Sequence, residues 1–398
     1  MSLLRQWLSR AARDAPALVL PGAAVLTYGE LAALPGRAGL QALAGGAAEL
    51  ARGLVETALG DGTAFPLPPH LTPQAQSRLI AQAHEAASPR LPLILATSGS
   101  SGAPKAVRLG WRSLAAAARL AGRHFELGPG DAWLVCLPLY FIGGAVIPFR
   151  TLRAGATAVV LEGFEAAAVA EALADWRISH VSLVPAMLAR LLEAGLRPPP
   201  TLRLALIGGA ALDPALAARA REAGWPIRLS YGMTETCATA LVDGRPLAGV
   251  RLRLAPGGAL EIASPARMAG YLGEADCGEW FTTSDLARFE ADGRVTILGR
   301  ADEMLVTGGA NVHPLEVEAQ LSTCPGVAEA AVTGLPDPVW GDLLACAYVG
   351  ETDEAALEAW CRQTLPAARR PRRFLRVSQL PRLPSGKLDR RALRRLWP

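Results

Sequence analysis

Short apolar runs at residues 92–95, 132–137, 157–161, 180–184 and 204–207 alternate with Ala/Leu/Arg segments of helical period at 114–125, 166–176, 186–194 and 214–223. Strands that are apolar throughout need cover on both faces, and the intervening helices supply it. The alternation therefore predicts an α/β fold built from parallel βαβ units. From residue 249 to 295 the rhythm changes to short strands broken by Gly, Pro and Asp-Gly turns, which predicts a small β-rich subdomain. Beyond Gly299 the pattern becomes α+β, with helices near 314–322 and 353–364 and strands near 327–333 and 344–349. The expected organisation is a large N-terminal domain over residues 1–299 and a small mobile C-terminal domain over 300–398. Pro198, Pro199 and Pro200 read as a rigid surface spacer.

Composition narrows the class. With 51% hydrophobic and 19% charged residues, the chain has the apolar surplus to fold rather than remain disordered. Its six cysteines are widely spaced, which excludes a Cys-x-x-Cys pair and a disulfide lattice and suits a reducing cytoplasm. Arg5 and Arg10 interrupt the N-terminal region in a way that argues against a signal peptide. Residues 132–149 carry no charge, but Pro138, Gly143, Gly144 and Pro148 would break a membrane helix repeatedly. A buried strand, a loop and the start of a helix fit that run better, so no membrane partner is expected. The C-terminal stretch is rich in arginine, including Arg369, Arg370, Arg372, Arg373, Arg376, Arg390, Arg391, Arg394 and Arg395. No aromatic-interleaved or zinc-finger pattern accompanies it, so nucleic acid is not an expected partner. A solvated face, or a contact with cofactor phosphates, accounts for it.

Residues 96 to 105 read Ala96, Thr97, Ser98, Gly99, Ser100, Ser101, Gly102, Ala103, Pro104, Lys105. Glycines let a backbone approach phosphate oxygens, hydroxyls and N–H groups donate to them, and a lysine adds a point charge. A Walker A loop would need Gly where Pro104 stands. A nucleophile elbow would need Gly at Ala103, and a Ser-x-x-Lys site would need Ser at Gly102. The loop is therefore a phosphate cradle of another kind, or a plain flexible turn.

Downstream, Tyr231, Gly232, Met233, Thr234 and Glu235 gather an aromatic face, a close-approach glycine, a hydroxyl and a carboxylate. An aromatic beside a purine, Thr234 on a phosphate and Glu235 on the magnesium that accompanies ATP form one coherent reading, and an ordinary turn forms another. Asp285, after Thr282, Thr283 and Ser284, has the chemistry to chelate a ribose diol, with Arg300 at the composition break beside it. Gly308 and Gly309 are paired ahead of Ala310, Asn311 and Val312. Lys387 lies in a terminal loop, where a lysine is ordinarily inert.

Together these segments resemble the adenylate-forming superfamily of acyl-CoA synthetases, luciferases and peptide-synthetase adenylation domains. The cradle is similar to that family's TSGSTGxPK loop, with Ser101 in place of Thr. The segment from Tyr231 resembles its YGxTE motif, and Gly208 through Leu212 resembles the segment laid against adenine, which adds Gly209, Ala210 and Ala211. Asp285 and Arg300 fall on its ribose motifs, with Ser284 replacing a Gly. Asp302 falls on its hinge, Gly308 and Gly309 on the loop lining the pantetheine tunnel, and Lys387 on its adenylation lysine. The resemblance implies ATP, Mg2+ and coenzyme A as cosubstrates and a small carboxylic acid as substrate.

Residues 137–144, 182–188 and 336–341 further resemble the o-succinylbenzoate CoA ligases of menaquinone and phylloquinone synthesis. Other acyl-CoA ligases, an enzyme loading a carrier protein and a non-catalytic nucleotide-binding relative remain as alternatives. Two departures stand out. Phe141 occupies the place of a His that lines the acyl pocket with Gly143 and Gly144, and the stretch between residue 31 and the cradle is short. A second carboxylate on the acid would need a cation or a hydroxyl cluster at the pocket's far end. Arg190, one turn beyond 182–187, is the candidate.

Overall fold

The computed structural model describes residues 2–22, 24–97, 104–383 and 386–397. Its centre is a nine-stranded sheet in the order Arg245–Pro246, Ala238–Val242, Ile227–Met233, Leu204–Ile207, His180–Leu183, Ala132–Val135, Thr157–Val160, Pro16–Leu20, Ala24–Thr27. The six inner strands run parallel and the edge pairs are antiparallel. Alternation along the strand Ala132–Val135 sends Trp133 and Val135 into one core and Leu134 into another on the opposite face. Both faces are thus covered, as the unbroken apolar runs required.

The expected run at 92–95 is the strand Leu93–Thr97, but it belongs to a second, five-stranded sheet in the order Gly270–Tyr271, Lys105–Leu109, Leu93–Thr97, Thr63–Pro66, Leu40–Leu43. The β-rich stretch forms a four-stranded antiparallel sheet of Arg251–Leu254, Ala259–Ala263, Phe281–Phe289 and Val295–Arg300. Gly270–Tyr271 leaves that stretch to pair with Lys105–Leu109, a departure no local pattern announced. One hydrophobic core unites these three sheets.

The chain then passes through the single turn Ala301–Glu303 into a separate sheet of Leu305–Thr307, Ala310–Val312, Val327–Asp337, Gly341–Gly350 and Arg373–Arg376 with its own core. Helix starts follow their caps. Asp213 accepts from the Ala215 and Leu216 amides ahead of Pro214, and Asp353 accepts from Ala356, each satisfying N–H groups that the helix leaves unpaired.

The uncharged run 132–149 resolves as expected into a strand, a loop and the helix Ile142–Ala154, which carries Pro148 inside it. No described helix is long and apolar enough to cross a membrane. The arginine-rich end is largely built into the C-terminal unit. Arg369 pairs with Glu316, Arg382 with Glu329, and Arg390 with Glu303 and Glu318. Arg372 lies 3.7 Å from the centroid of the Trp340 ring.

Candidate active site

At the two ends of the cradle, Thr97 pairs with Lys105 in an antiparallel ladder. Ser98, Gly99, Ser100, Ser101 and Gly102 lie outside the described residues. Lys105 points away from the strand toward Glu274, at 3.1 Å, and its ammonium sits 4.7 Å from the centroid of the Tyr271 ring. The Tyr271 hydroxyl donates to Glu235 Oε1 at 2.8 Å. A tyrosine that no motif singled out therefore ties the cradle lysine to the Glu235 carboxylate. Its position follows from Gly270–Tyr271 pairing beside Lys105–Leu109, which is a long-range event.

Glu235 stands in the turn Thr234–Thr236 at the end of the strand Ile227–Met233. The turn is strained: Cys237 and Ala238 both have left-handed backbone, at φ 53° and 79°, each costing on the order of 1–3 kcal/mol. The Thr236 hydroxyl accepts from the Met233 amide, and the Glu235 carbonyl accepts from the Met268 amide at 2.7 Å. At Gly232 a Cβ would lie 1.6 Å from the Ala238 carbonyl, so only glycine fits where this segment folds back. The close-approach role read from the sequence is, at this position, an approach of backbone to backbone.

Tyr231 donates to Asp285 Oδ2 at 2.6 Å, and burial together with that carboxylate raises the phenol pKa far above its ordinary value. Asp285 sits directly across the sheet from Arg300, 3.7 Å away, and Arg300 grips Asp302 with two hydrogen bonds of 2.9 and 3.1 Å. The bond to Asp302 is the leading cause that raises the Arg300 pKa. Gly209, with Ala210 and Ala211, lies in the bend after the strand Leu204–Ile207.

Lys387 arrives at this cleft from the far end of the chain. Desolvation and the charge of Arg300 lower its pKa, opposed by Asp285, Glu235 and Glu303. The side chain keeps solvent access, so the surrounding protein mass weakens its hydration without sealing it off. The loop that carries it is docked by packing: a Cβ on Gly386 would meet Val184 at 2.8 Å, and one on Gly209 would meet the same valine at 3.3 Å. Val184 is thus held between the two glycines.

Gly308 and Gly309 form the two-residue turn between Leu305–Thr307 and Ala310–Val312, with φ 55° and 80°. A hairpin turn of this kind needs positive φ at both positions, so the turn itself demands the pair. The Gly308 amide donates to the Trp340 carbonyl at 2.9 Å, whereas Gly309 faces open space.

At the acid segment, Phe141 precedes the helix Ile142–Ala154, which begins with Gly143 and Gly144. The Phe141 ring lies 4.8 Å from Tyr140 and 6.0 Å from His70, centroid to centroid. An imidazole therefore stands beside Phe141, contributed by a different part of the chain. Arg190 differs from its expected setting. It is exposed, 3.3 Å from Glu165 and over the Phe164 ring, so its charge is already paired and solvated on the helix surface rather than held in an apolar pocket.

Arg150, which sequence reasoning passed over, is the opposite case. It is 2% exposed and its Nε has no partner, and desolvation lowers its pKa to about 10. The signal available was a charge in register with Gly143 and Ile147, on the buried face of the helix.

A two-part α/β fold whose cleft joins a phosphate-type hairpin, a strained carboxylate turn and an incoming lysine defines an AMP-binding enzyme. The chain belongs to that family: residues 55–257 match the AMP-binding enzyme family and residues 316–387 match the AMP-binding enzyme C-terminal domain. It is 32% identical over 329 residues to the 2-succinylbenzoate–CoA ligase of Bacillus licheniformis, covering 75% of this chain and 69% of that protein. It is 30% identical to the ligase of the same name from Lactococcus lactis, covering 77% and 71%.

Among solved structures, the o-succinylbenzoate CoA synthetase of Bacillus subtilis in complex with its acyl-adenylate intermediate superposes with a TM-score of 0.86 at 23% identity, covering 99% of this chain and 98% of that one. An amide bond synthetase of Marinactinospora thermotolerans superposes with a TM-score of 0.87 at 23% identity, covering 99% of each chain. These likenesses establish the shared fold.

Proposed function

We propose that this enzyme activates o-succinylbenzoate with ATP as an acyl-adenylate and transfers the acyl group to the thiol of coenzyme A, a step of menaquinone synthesis. A carboxylate is a poor electrophile, because attack adds charge to an anion and expels oxide. A mixed anhydride with AMP supplies a leaving group that a thiol displaces. The observation that carries the reading is Lys387 held in one cleft with Glu235, Asp285 and Arg300, residues far apart in the chain. The sequence identity to 2-succinylbenzoate–CoA ligases supports the choice of acid.

In this reading Thr97, Lys105 and the loop between them hold the phosphates with Thr234. Tyr231, Gly232 and Gly209 to Ala211 border the adenine, and Asp285 with Arg300 holds the ribose. Lys387 neutralises charge at the α-phosphate as pyrophosphate departs. Glu235 would hold Mg2+ together with ATP. The ion would supply charge neutralisation for the leaving group. Asp302, in the turn between the third and last sheets, is the hinge, and Gly308 and Gly309 border the thiol's path in the second half-reaction. Six free thiols suit a reducing cytoplasm.

Acid-dependent pyrophosphate release measured across a panel of acids, with and without coenzyme A, tests the assignment. The expected result is selective release with o-succinylbenzoate and thioester only when coenzyme A is present. Preference for an unrelated aryl or medium-chain acid would move the enzyme elsewhere among acyl-CoA ligases, and transfer to a carrier protein alone would replace the acceptor. A narrower check concerns the nucleotide. Asp285→Ala removes the proposed ribose acceptor and should weaken ATP binding by about 1.5–3 kcal/mol, and unchanged affinity by calorimetry would return Asp285 to the role of partner to Tyr231 and Arg300.

A further inference from the structure

The helix Ile142–Ala154 starts at the acid segment and runs back through the core. Its spacing puts Gly143, Ile147 and Arg150 on one face, and helical side chains lean toward the N-terminus, so Arg150 reaches back toward residues 141–144. Its Nη2 donates to Thr239 Oγ1 at 3.1 Å and its guanidinium lies 5.5 Å from the Trp133 ring. Its Nε has no partner. Among the described residues no carboxylate pairs with it. The titratable side chain that acts on it is Cys237, a buried thiol that desolvation keeps neutral by raising its pKa to about 12. A cation removed from water without an anion costs several kcal/mol, and the Thr239 hydroxyl and the Trp133 ring supply neutral contacts but no countercharge.

We propose that Arg150 is the receptor for the second, unactivated carboxylate of the acid, a specificity determinant that rests on the dicarboxylic acid reading above. Hydroxyls stand ready around it. Ser182 Oγ accepts from Trp133 Nε1 at 3.1 Å, and Ser230 Oγ donates to Thr239 Oγ1 at 3.2 Å. Ser182 and Ser230 lie toward the carboxyl ends of parallel strands, the end at which open α/β sheets bind ligands. The free Nε–H and the Ser182 hydroxyl, which accepts from Trp133 and keeps its own proton to give, match a carboxylate's acceptors, so the buried charge becomes affinity for acids that carry a second anion. An acid lacking that anion leaves the arginine uncompensated.

The test compares o-succinylbenzoate with 4-oxo-4-phenylbutanoate, the same acid without its ring carboxylate, in acid-dependent pyrophosphate release. Arg150→Met should lower kcat/KM for o-succinylbenzoate by about 100-fold, as expected for truncating one partner of a buried charge pair. The phenyl analogue should change by less than about threefold, which erases the wild type's preference. Equal loss on both acids with ATP affinity intact would overturn the role of Arg150 alone, leaving it a packing residue. If Arg150→Met does not fold by circular dichroism, Arg150→Lys decides on the same ratio: it keeps the charge but not the Nε–H, so a preference equal to wild type overturns the proposal and a reduced one supports it. A wild type that ignores o-succinylbenzoate while turning over monocarboxylic acids overturns both this assignment and the dicarboxylic reading beneath it.

Discussion

Lys387→Ala is expected to slow acid-dependent pyrophosphate release by about 10²–10³-fold, the range for removing one donor to developing charge. It should leave conversion of supplied acyl-adenylate and coenzyme A to thioester within about twofold of wild type. The asymmetry follows from position. Lys387 lies within the electrostatic influence of Glu235 and Asp285 while its loop packs against Val184, and in the proposed exchange the thiol enters after that loop has moved. Equal losses in the two half-reactions would refute the exchange of orientations. The wild type adds a pH signature. The folded-state pKa of Lys387 is lowered, so the ammonium is lost at lower pH than an ordinary lysine's. The first half-reaction should therefore decline on the alkaline side from below the ordinary lysine range, while the second, measured from supplied adenylate, keeps its rate there.

Gly309→Leu should produce the mirror image. Nothing lies within 4 Å of the place a Cβ would occupy at Gly309, so the leucine projects into the space beside the turn. Its backbone, at φ 80°, strains a side-chain-bearing residue by about 1–2 kcal/mol, small enough for the domain to fold. The thioester step should fall by at least about tenfold if a leucine stands in the thiol's path, with pyrophosphate release little changed. Matching losses in both steps, in a protein with wild-type circular dichroism, would remove Gly309 from that path and leave it as a turn residue.

Much of this architecture was legible because it is local. The strands His180–Leu183 and Leu204–Ile207 fall where unbroken apolar runs predicted them, and Asp213 with Pro214 marks a helix start by its own chemistry. Glu235 and Asp285 were picked out by residue type within short motifs, and Lys387 by its place in the family resemblance alone. What escaped depends on distant pairing. Tyr271 meets Glu235 only once Gly270–Tyr271 has left its neighbours to join Lys105–Leu109. His70 meets Phe141 from a different sheet's connection. Arg190 and Arg150 both lie on helices near the acid segment, and no sequence pattern says that the first finds Glu165 in solvent while the second is sealed beside Trp133. Burial and partner, rather than residue type, separate a surface cation from a binding charge.

In the proposed exchange of orientations, Val184, gripped between Gly209 and Gly386, would act as a mechanical detent between the two parts of the molecule. Neither glycine has a side chain to immobilise, so engaging the detent costs no rotamer entropy on those two sides. The apolar contact is worth at most about 1.5–3 kcal/mol, the full burial of a valine. A detent of that depth biases the docked orientation by roughly 10- to 100-fold, enough to present Lys387 repeatedly and shallow enough to release it every turnover. On that proposal a deeper detent would hold the enzyme after its first half-reaction and a shallower one would leave the lysine searching, so the packing of one β-branched residue against two bare backbones would tune how the two chemistries alternate.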